Sequence, residues 1–262
     1  MSNTRQLMTG WRMYSEDNND GLMAASDDGG GNPYSTTVAN QYSSGDLYAW
    51  AWSKMDFNAN NAFNWDPAAD IMLRPMYAYN PQAGIHKCPA DSSTAIHNGA
   101  ATPRIRSYSM NWFVGGFGEN SSIASEVSGF PYYVKFGELN NLAAAPGPAS
   151  TFVFVEERSD CINWGNFETD MTGFPATATA KAEPNNYIWA EDMPAAYHKD
   201  SAGISYADGH SEIHRWHGDQ YDLQPVVQGV LVGGKGTGTT WPVPYSQDVA
   251  FMQSVSCRPH SE

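Results

Sequence analysis

Asp208-Gly209 lies between two short runs in which apolar and polar residues alternate, Ile204 to Ala207 and His210 to Trp216. An Asp-Gly pair in that setting is the strongest local signal for a two-residue β-hairpin turn, because both residues tolerate the positive φ such a turn needs. Strand side chains alternate between faces with a period of two. A two-residue turn here therefore puts Ile204, Tyr206 and Ile213 on one apolar face that should meet a core. His210, Glu212, His214 and Trp216 fall on the other, opposite Ser205 and Ala207. Three titratable groups then point the same way, an arrangement that can hold a divalent metal, move protons, or lie solvated on a sheet surface.

Upstream of the hairpin the chain reads as one helix followed by β-rich segments. Leu7, Trp11 and Tyr14 recur at helical spacing within residues 2–16, and Asn18-Asn-Asp-Gly21 ends that helix. Asp17 to Asp20 lacks the spacing and terminal Glu of an EF-hand, so it reads as a helix stop. Residues 26–46 form a polar loop whose three glycines lack the Lys-Ser/Thr of a phosphate loop. Tyr48, Trp50 and Trp52 alternate as an extended aromatic segment. Asp66-Pro67 caps a short helix that Pro75 should stop, and Ile85 to Cys88 reads as a strand closed by Pro89.

Alternation from Arg104 to Phe113 puts Arg104, Arg106, Tyr108, Met110 and Trp112 on one strand face. With His86, Lys87 and His97 this is the one basic concentration in the chain. An Arg-x-Arg-x-Tyr strand carrying Trp suits a glycan groove, and it equally suits an edge strand guarded by charge. Tyr132 to Phe136 is a further strand candidate, and Glu138 to Ala144 a short helix. Thr151 to Val155 is the clearest buried strand, flowing into Glu156-Glu157. Residues 166–192 are loop-rich, Gln224 to Val232 is strand-like, and Ser246 caps a last helix through Met252. The expectation is a single α+β unit over 1–262: an N-terminal helix (1–25), insertions and first strands (26–147), and a core antiparallel sheet (148–262).

Composition narrows the function. In 262 residues, 14 basic against 28 acidic side chains give a formal charge of −14, which disfavours nucleic acid and anionic membrane as partners. No run of about 18 apolar residues is present, so nothing in this chain reads as a membrane span. Nine Trp and 14 Tyr supply sugar-stacking surface or ordinary β packing. Cys88, Cys161 and Cys257 are widely spaced without a CxxC pair, against a zinc knuckle; an exported chain could bridge two of them.

The ordered blocks of this sequence resemble a known family. His198, nine residues, then Asp208-Gly209 is similar to the prepilin-type processing-associated H-X9-DG domain of pseudopilin-like proteins in type II secretion-like systems. Asn3-Thr-Arg-Gln-Leu7 through Met13-Tyr-Ser-Glu-Asp-Asn-Asn-Asp-Gly21 resembles the segment after the family's membrane helix. Cys88-Pro-Ala-Asp91, Arg106-Ser-Tyr-Ser-Met-Asn111 and Pro148-Ala-Ser-Thr-Phe-Val-Phe-Val-Glu-Glu157 resemble later blocks. The resemblance implies a pseudopilin-like fold, a periplasmic or cell-surface setting and envelope assembly partners. It also implies a leader and apolar helix before the position of Met1, another Cys just ahead of it, and a calcium site near the C-terminal sheet.

Two functions from different classes follow. One is a non-catalytic ectodomain that binds exported cargo or polysaccharide. The other is a polysaccharide lyase acting on uronate chains, in which Arg104 and Arg106 or a metal neutralise the carboxylate. There His198 or His210 is the base and Tyr108 or Tyr197 the acid, with Trp112 and Trp216 against the sugar. Glu157, Asp160, His210, Glu212 and His214, with Glu156 and His198 nearby, are the candidate ligands for calcium, zinc or manganese. Asp208 is accounted for by its turn. No Gly-x-Ser-x-Gly elbow is present, and adjacent Glu156 and Glu157 on a strand diverge, which disfavours a hydrolase.

Overall fold

A computed structural model describes residues 2–26, 49–51, 55–116, 129–177, 179–218, 226–233 and 239–259. Residues 27–46 of the loop expected over 26–46, Tyr48 and Trp52, and residues 234–238 lie outside the described residues. The architecture is α+β, with an N-terminal helix and antiparallel and mixed sheets.

Helix α1 spans Ser2–Asp17 and buries the stripe Leu7, Met8, Trp11 and Tyr14. Burial of each such side chain is worth about 1.5–3 kcal/mol, so this stripe anchors the helix. The chain leaves α1 through Asn19 and Asp20 at φ 54° and 69°, a left-handed exit that Asn and Asp tolerate best among non-glycine residues. The main sheet has five strands in the order β5-β3-β4-β7-β8, namely Asn166–Phe167, Tyr108–Asn111, Phe152–Glu156, Ser201–Tyr206 and Ser211–Arg215. All its pairings are antiparallel except β3 with β5.

One face of the sheet, through Tyr108, Met110 and Phe154, joins the core that holds Leu7 and Trp11 of α1. The opposite face, through Val155, Ile204 and Tyr206, meets helix α3 (Gln247–Ser256) at Val249 and Met252. Both faces of β4 are thus covered, which is why it reads as an unbroken apolar run rather than an alternating one. Ser246 caps α3 by accepting the Val249 N–H at 3.1 Å, as expected, and the helix runs four residues past Met252.

The central hairpin forms with a different loop. Tyr206 N–H donates to His210 O at 2.9 Å and Gly209 N–H to Tyr206 O at 2.8 Å, so Ala207, Asp208 and Gly209 make a three-residue loop. Of the three, Gly209 alone has positive φ, +96°, whereas a two-residue type I′ turn would need it at Asp208 too. The extra residue shifts the faces by one position. Ile204 pairs with Glu212, and Gly203 with Ile213. His210, Glu212 and His214 still share a face, but that face is also the one bearing Ile204 and Tyr206. Ile213, expected in the core, is 40% exposed.

Other segments depart from the periodic reading. Pro75 opens helix α2 (Pro75–Tyr79) instead of stopping one, since the first turn has no use for its missing N–H. Asp66 does cap, accepting the Ala68 N–H at 2.9 Å, but over a single 3₁₀ turn. Ile85 lies in a 3₁₀ turn, Ala83–His86, not a strand. Only Tyr108–Asn111 of the expected Arg104 to Phe113 strand pairs, and Phe136–Asn140 is a 3₁₀ turn. The described residues of Gln224 to Val232 carry no strand. Two small antiparallel sheets complete the fold: the hairpin of β1 (Thr94–His97) with β2 (Ala100–Pro103), and β6 (Ile188–Ala190) paired with the distant β9 (Thr240–Pro242). All three cysteines are buried free thiols, so no pair is bridged.

Candidate metal centre

Register assembles the site. Tyr108 pairs with Glu156 across β3 and β4, and Val155 with Ile204 across β4 and β7, so Tyr108 and Glu156 share the α1 face of the sheet and Gly203 follows next to them on β7. Glu156 is 1% exposed, and its carboxylate turns over β7. There Oε2 accepts the Gly203 N–H at 2.8 Å. A Cβ at position 203 would meet Glu156 Cδ and Oε1 at 3.2 Å, so the missing side chain makes room for the carboxylate. Glu156 Oε1 lies 3.1 Å from His198 Nε2 and 3.4 Å from the Tyr108 hydroxyl.

His198 precedes β7 in a turn closed by its own N–H to Ser201 O at 3.1 Å. Lys199 and Asp200 follow in the left-handed region, at φ 55° and 61°. Two such non-glycine residues in succession cost about 1 kcal/mol or more each, borne by the surrounding packing that aims His198 inward. Cys88 enters from the other side, its N–H held by Ser107 Oγ at 2.7 Å, and its Sγ lies 3.4 Å from His198 Nε2. Burial, with the Glu156 carboxylate alongside, pushes the thiol up to about 11. Burial likewise raises the Tyr108 phenol, which stays neutral.

These protonation states limit the chemistry. A neutral thiol is a poor nucleophile. Moreover, Nε2 of His198 faces both Cys88 and Glu156, whereas a thiol–imidazole–carboxylate relay uses the two ring nitrogens separately. What the three groups do offer is one donor atom each, all within 4.8 Å of one another, and this cluster could hold a metal ion.

The other expected site residues lie elsewhere. Arg104 and Arg106 are 1% exposed instead of lining an open groove. Arg104 donates to Ser159 O at 2.5 Å and Ile162 O at 3.2 Å; Arg106 donates to the carbonyls of Tyr108, Asn163 and Trp164. Trp112 and Trp216 are core side chains, and the Trp216 indole donates to Ala195 O at 2.8 Å. Tyr197 donates to Glu157 O at 3.1 Å, and burial raises its phenol well above the ordinary range. Of the basic neighbours, His86 is buried and lowered to about 4 by desolvation, and His97 stacks on Trp65.

Nor do the five expected ligands gather. Glu157 turns to the opposite side of β4 from Glu156, accepting from Ser109 Oγ. Desolvation raises it to about 8 and raises its partner Asp192 as well. Asp160 is taken by Arg158, at 2.6 and 2.8 Å, and by the Val227 N–H. Glu212 accepts from Tyr206, His214 stacks on Phe251, and His210 binds Asp208 and stacks on Tyr206. Because Glu212 pairs with Ile204 and Ile204 with Val155, the β8 histidine face lies on the Val155 side of the sheet, opposite Glu156 and the His198 that contacts it.

Cys88 and Gly203 belong to this cluster although residue type alone does not point to them. Their signals were present: Cys88 opens one of the resembling blocks, and Gly203 interrupts an otherwise β-forming run. No helix among the described residues is long and apolar enough to cross a membrane. No family model, curated protein or solved structure matches this chain.

Proposed function

We propose that this chain is a pseudopilin-like ectodomain of the periplasm or cell surface that binds exported cargo or polysaccharide without cleaving it. The observation that carries this reading is the convergence at Cys88, Tyr108, Glu156 and His198. Each of the four later blocks resembling that family contributes one side chain to a single cluster. A divalent ion there would tie the segment before β1, the end of β4 and the turn before β7 together. Among calcium, zinc and manganese, a thiol and an imidazole beside one carboxylate favour zinc, because calcium and manganese prefer sites built of oxygen.

The lyase alternative loses its neutralising pair, since both arginines are buried against backbone carbonyls. Incubation with a panel of uronate polysaccharides tests the choice. Retardation of the protein by a glycan, with no rise in ultraviolet absorbance from an unsaturated product, is the expected result. Accumulation of that product, abolished by His198→Ala, would overturn the non-catalytic reading.

A further inference from the structure

We propose that two copies of this chain pair through the outer edge of β8, antiparallel and centred on Ile213, so that their five-stranded sheets become continuous. Strand β8 stands last in the sheet order, and among the described residues no strand lies on its outer side. Its ladder to β7 uses alternate residues: Tyr206 N–H donates to His210 O at 2.9 Å, and Trp216 N–H to Asp200 O at 2.8 Å. In an antiparallel pair that alternation runs on through Glu212 and His214. The backbone N–H and C=O groups of Ser211, Ile213 and Arg215 therefore point away from β7.

Edges left open in this way are commonly blunted by Lys, Pro or a bulge. Strand β8, Ser-Glu-Ile-His-Arg, carries neither Lys nor Pro, and its register with β7 is unbroken. Ile213 sits at its middle, 40% exposed, because its neighbour on β7 is Gly203, which has no side chain to cover it. Pairing about Ile213 sets the two isoleucines side by side and shields that apolar surface.

The flanking residues make a second copy the matching occupant. About that centre Glu212 falls opposite His214 of the second copy and Ser211 opposite its Arg215, each contact occurring twice by symmetry. No like charges face each other. Glu212 and His214 form the non-hydrogen-bonded pair, where cross-strand side chains come closest, and an imidazole N–H can donate to a carboxylate in either protonation state. Within one copy His214 Nδ1 and Glu212 Oε1 are 3.8 Å apart, too far for a hydrogen bond, and the Glu212 side chain is 45% exposed. Centring on Arg215 would instead set two guanidiniums together, and centring on Ser211 would leave most of the strand unpaired. The two-fold axis stands perpendicular to the sheet, so both Cys88–Glu156–His198 clusters face the same side of the dimer.

Sedimentation equilibrium of the whole chain tests the association, and cross-linking tests its register. Wild type should show a concentration-dependent monomer–dimer equilibrium. Ile213→Pro deletes an N–H that the β7 ladder does not use, so the fold tolerates it while two intermolecular bonds are lost. Its dissociation constant should rise at least about 10-fold, with the far-ultraviolet circular dichroism unchanged. Ile213→Lys, which sets two ammonium groups together at the axis, should weaken the dimer likewise and serves if the proline variant does not fold. All three native cysteines are buried, so an introduced thiol reports alone. Ile213→Cys, with Cα atoms about 5.5 Å apart across the axis, should form a disulfide dimer under oxidised glutathione. Ser211→Cys, about 14 Å from its counterpart, should not. A wild-type chain that stays monomeric, a dimer indifferent to both Ile213 substitutions, or cross-linking as efficient at Ser211 as at Ile213 would each overturn the proposal.

Discussion

His198 and His210 stand at the two ends of strand β7, and each touches a carboxylate, at 3.1 Å to Glu156 and 2.6 Å to Asp208. By residue type and distance the pairs look alike. Their surroundings differ. Glu156 is 1% exposed and Asp208 is 37% exposed, so the first carboxylate depends on fixed protein partners and the second on water. An exposed pair is worth about 0–1 kcal/mol, whereas a buried carboxylate holds its neighbours to a single arrangement. The shorter contact is the less consequential one, and burial, not spacing, separates a centre from a surface.

Removing each carboxylate should give the largest contrast. Glu156→Ala leaves the Gly203 N–H and Tyr108 hydroxyl without their acceptor in the interior, at about 1–3 kcal/mol each, so a loss of about 3 kcal/mol is expected in denaturant unfolding. Asp208→Ala should cost less than about 1 kcal/mol in the same measurement. Equal losses would break the comparison.

Gly203→Ala sharpens it further. A Cβ 3.2 Å from the Glu156 carboxylate crowds a packed site, and overpacking of this kind costs about 1–3 kcal/mol. Zinc affinity should fall with it, while the histidine face across the sheet keeps its structure by NMR.

Glu157 supplies a pH test on the other side of β4. Its folded value, about 8, lies above the ordinary 4.5. Between those values the folded state binds the extra proton, so stability is fully present at low pH and falls as pH rises from about 4.5 to about 8. The slope is at most about 1.4 kcal/mol per pH unit for one group. Glu157→Gln should flatten that fall in chemical denaturation across the window; an unchanged slope would place the proton elsewhere.

The narrowest contrast belongs to the turns. Gly209→Ala meets no atom within 4 Å but must keep φ at +96°, for a cost of about 1–2 kcal/mol; Gly99→Ala, at φ +77°, should match it. Thermal melts of the two variants measure the difference directly.

Those two turns also show where sequence reasoning stops. Asn98-Gly99 forms the two-residue loop, with φ 51° and 77° and His97 opposite Ala100. Asp208-Gly209 carries the same kind of signal and forms three residues. The difference lies in distant partners: Ala207 N–H reaches Thr151 O at 3.0 Å, and Asp208 N–H reaches Pro148 O at 3.1 Å. A third loop residue is held by a segment some 60 positions away in the chain, which no local pattern encodes.

Local signals determined the α1 stripe, buried strand β4, the caps at Asp66 and Ser246, and a shared face for His210, Glu212 and His214, because each depends on neighbours within a turn or a strand. Tertiary structure decided which sheet face that trio occupies and that Cys88 joins Glu156 and His198. It also turned Arg104 and Arg106 inward, onto carbonyls of residues 159–164. Those outcomes depend on hydrogen bonds and desolvation between segments far apart in the chain, where the identity of a residue leaves its partner open.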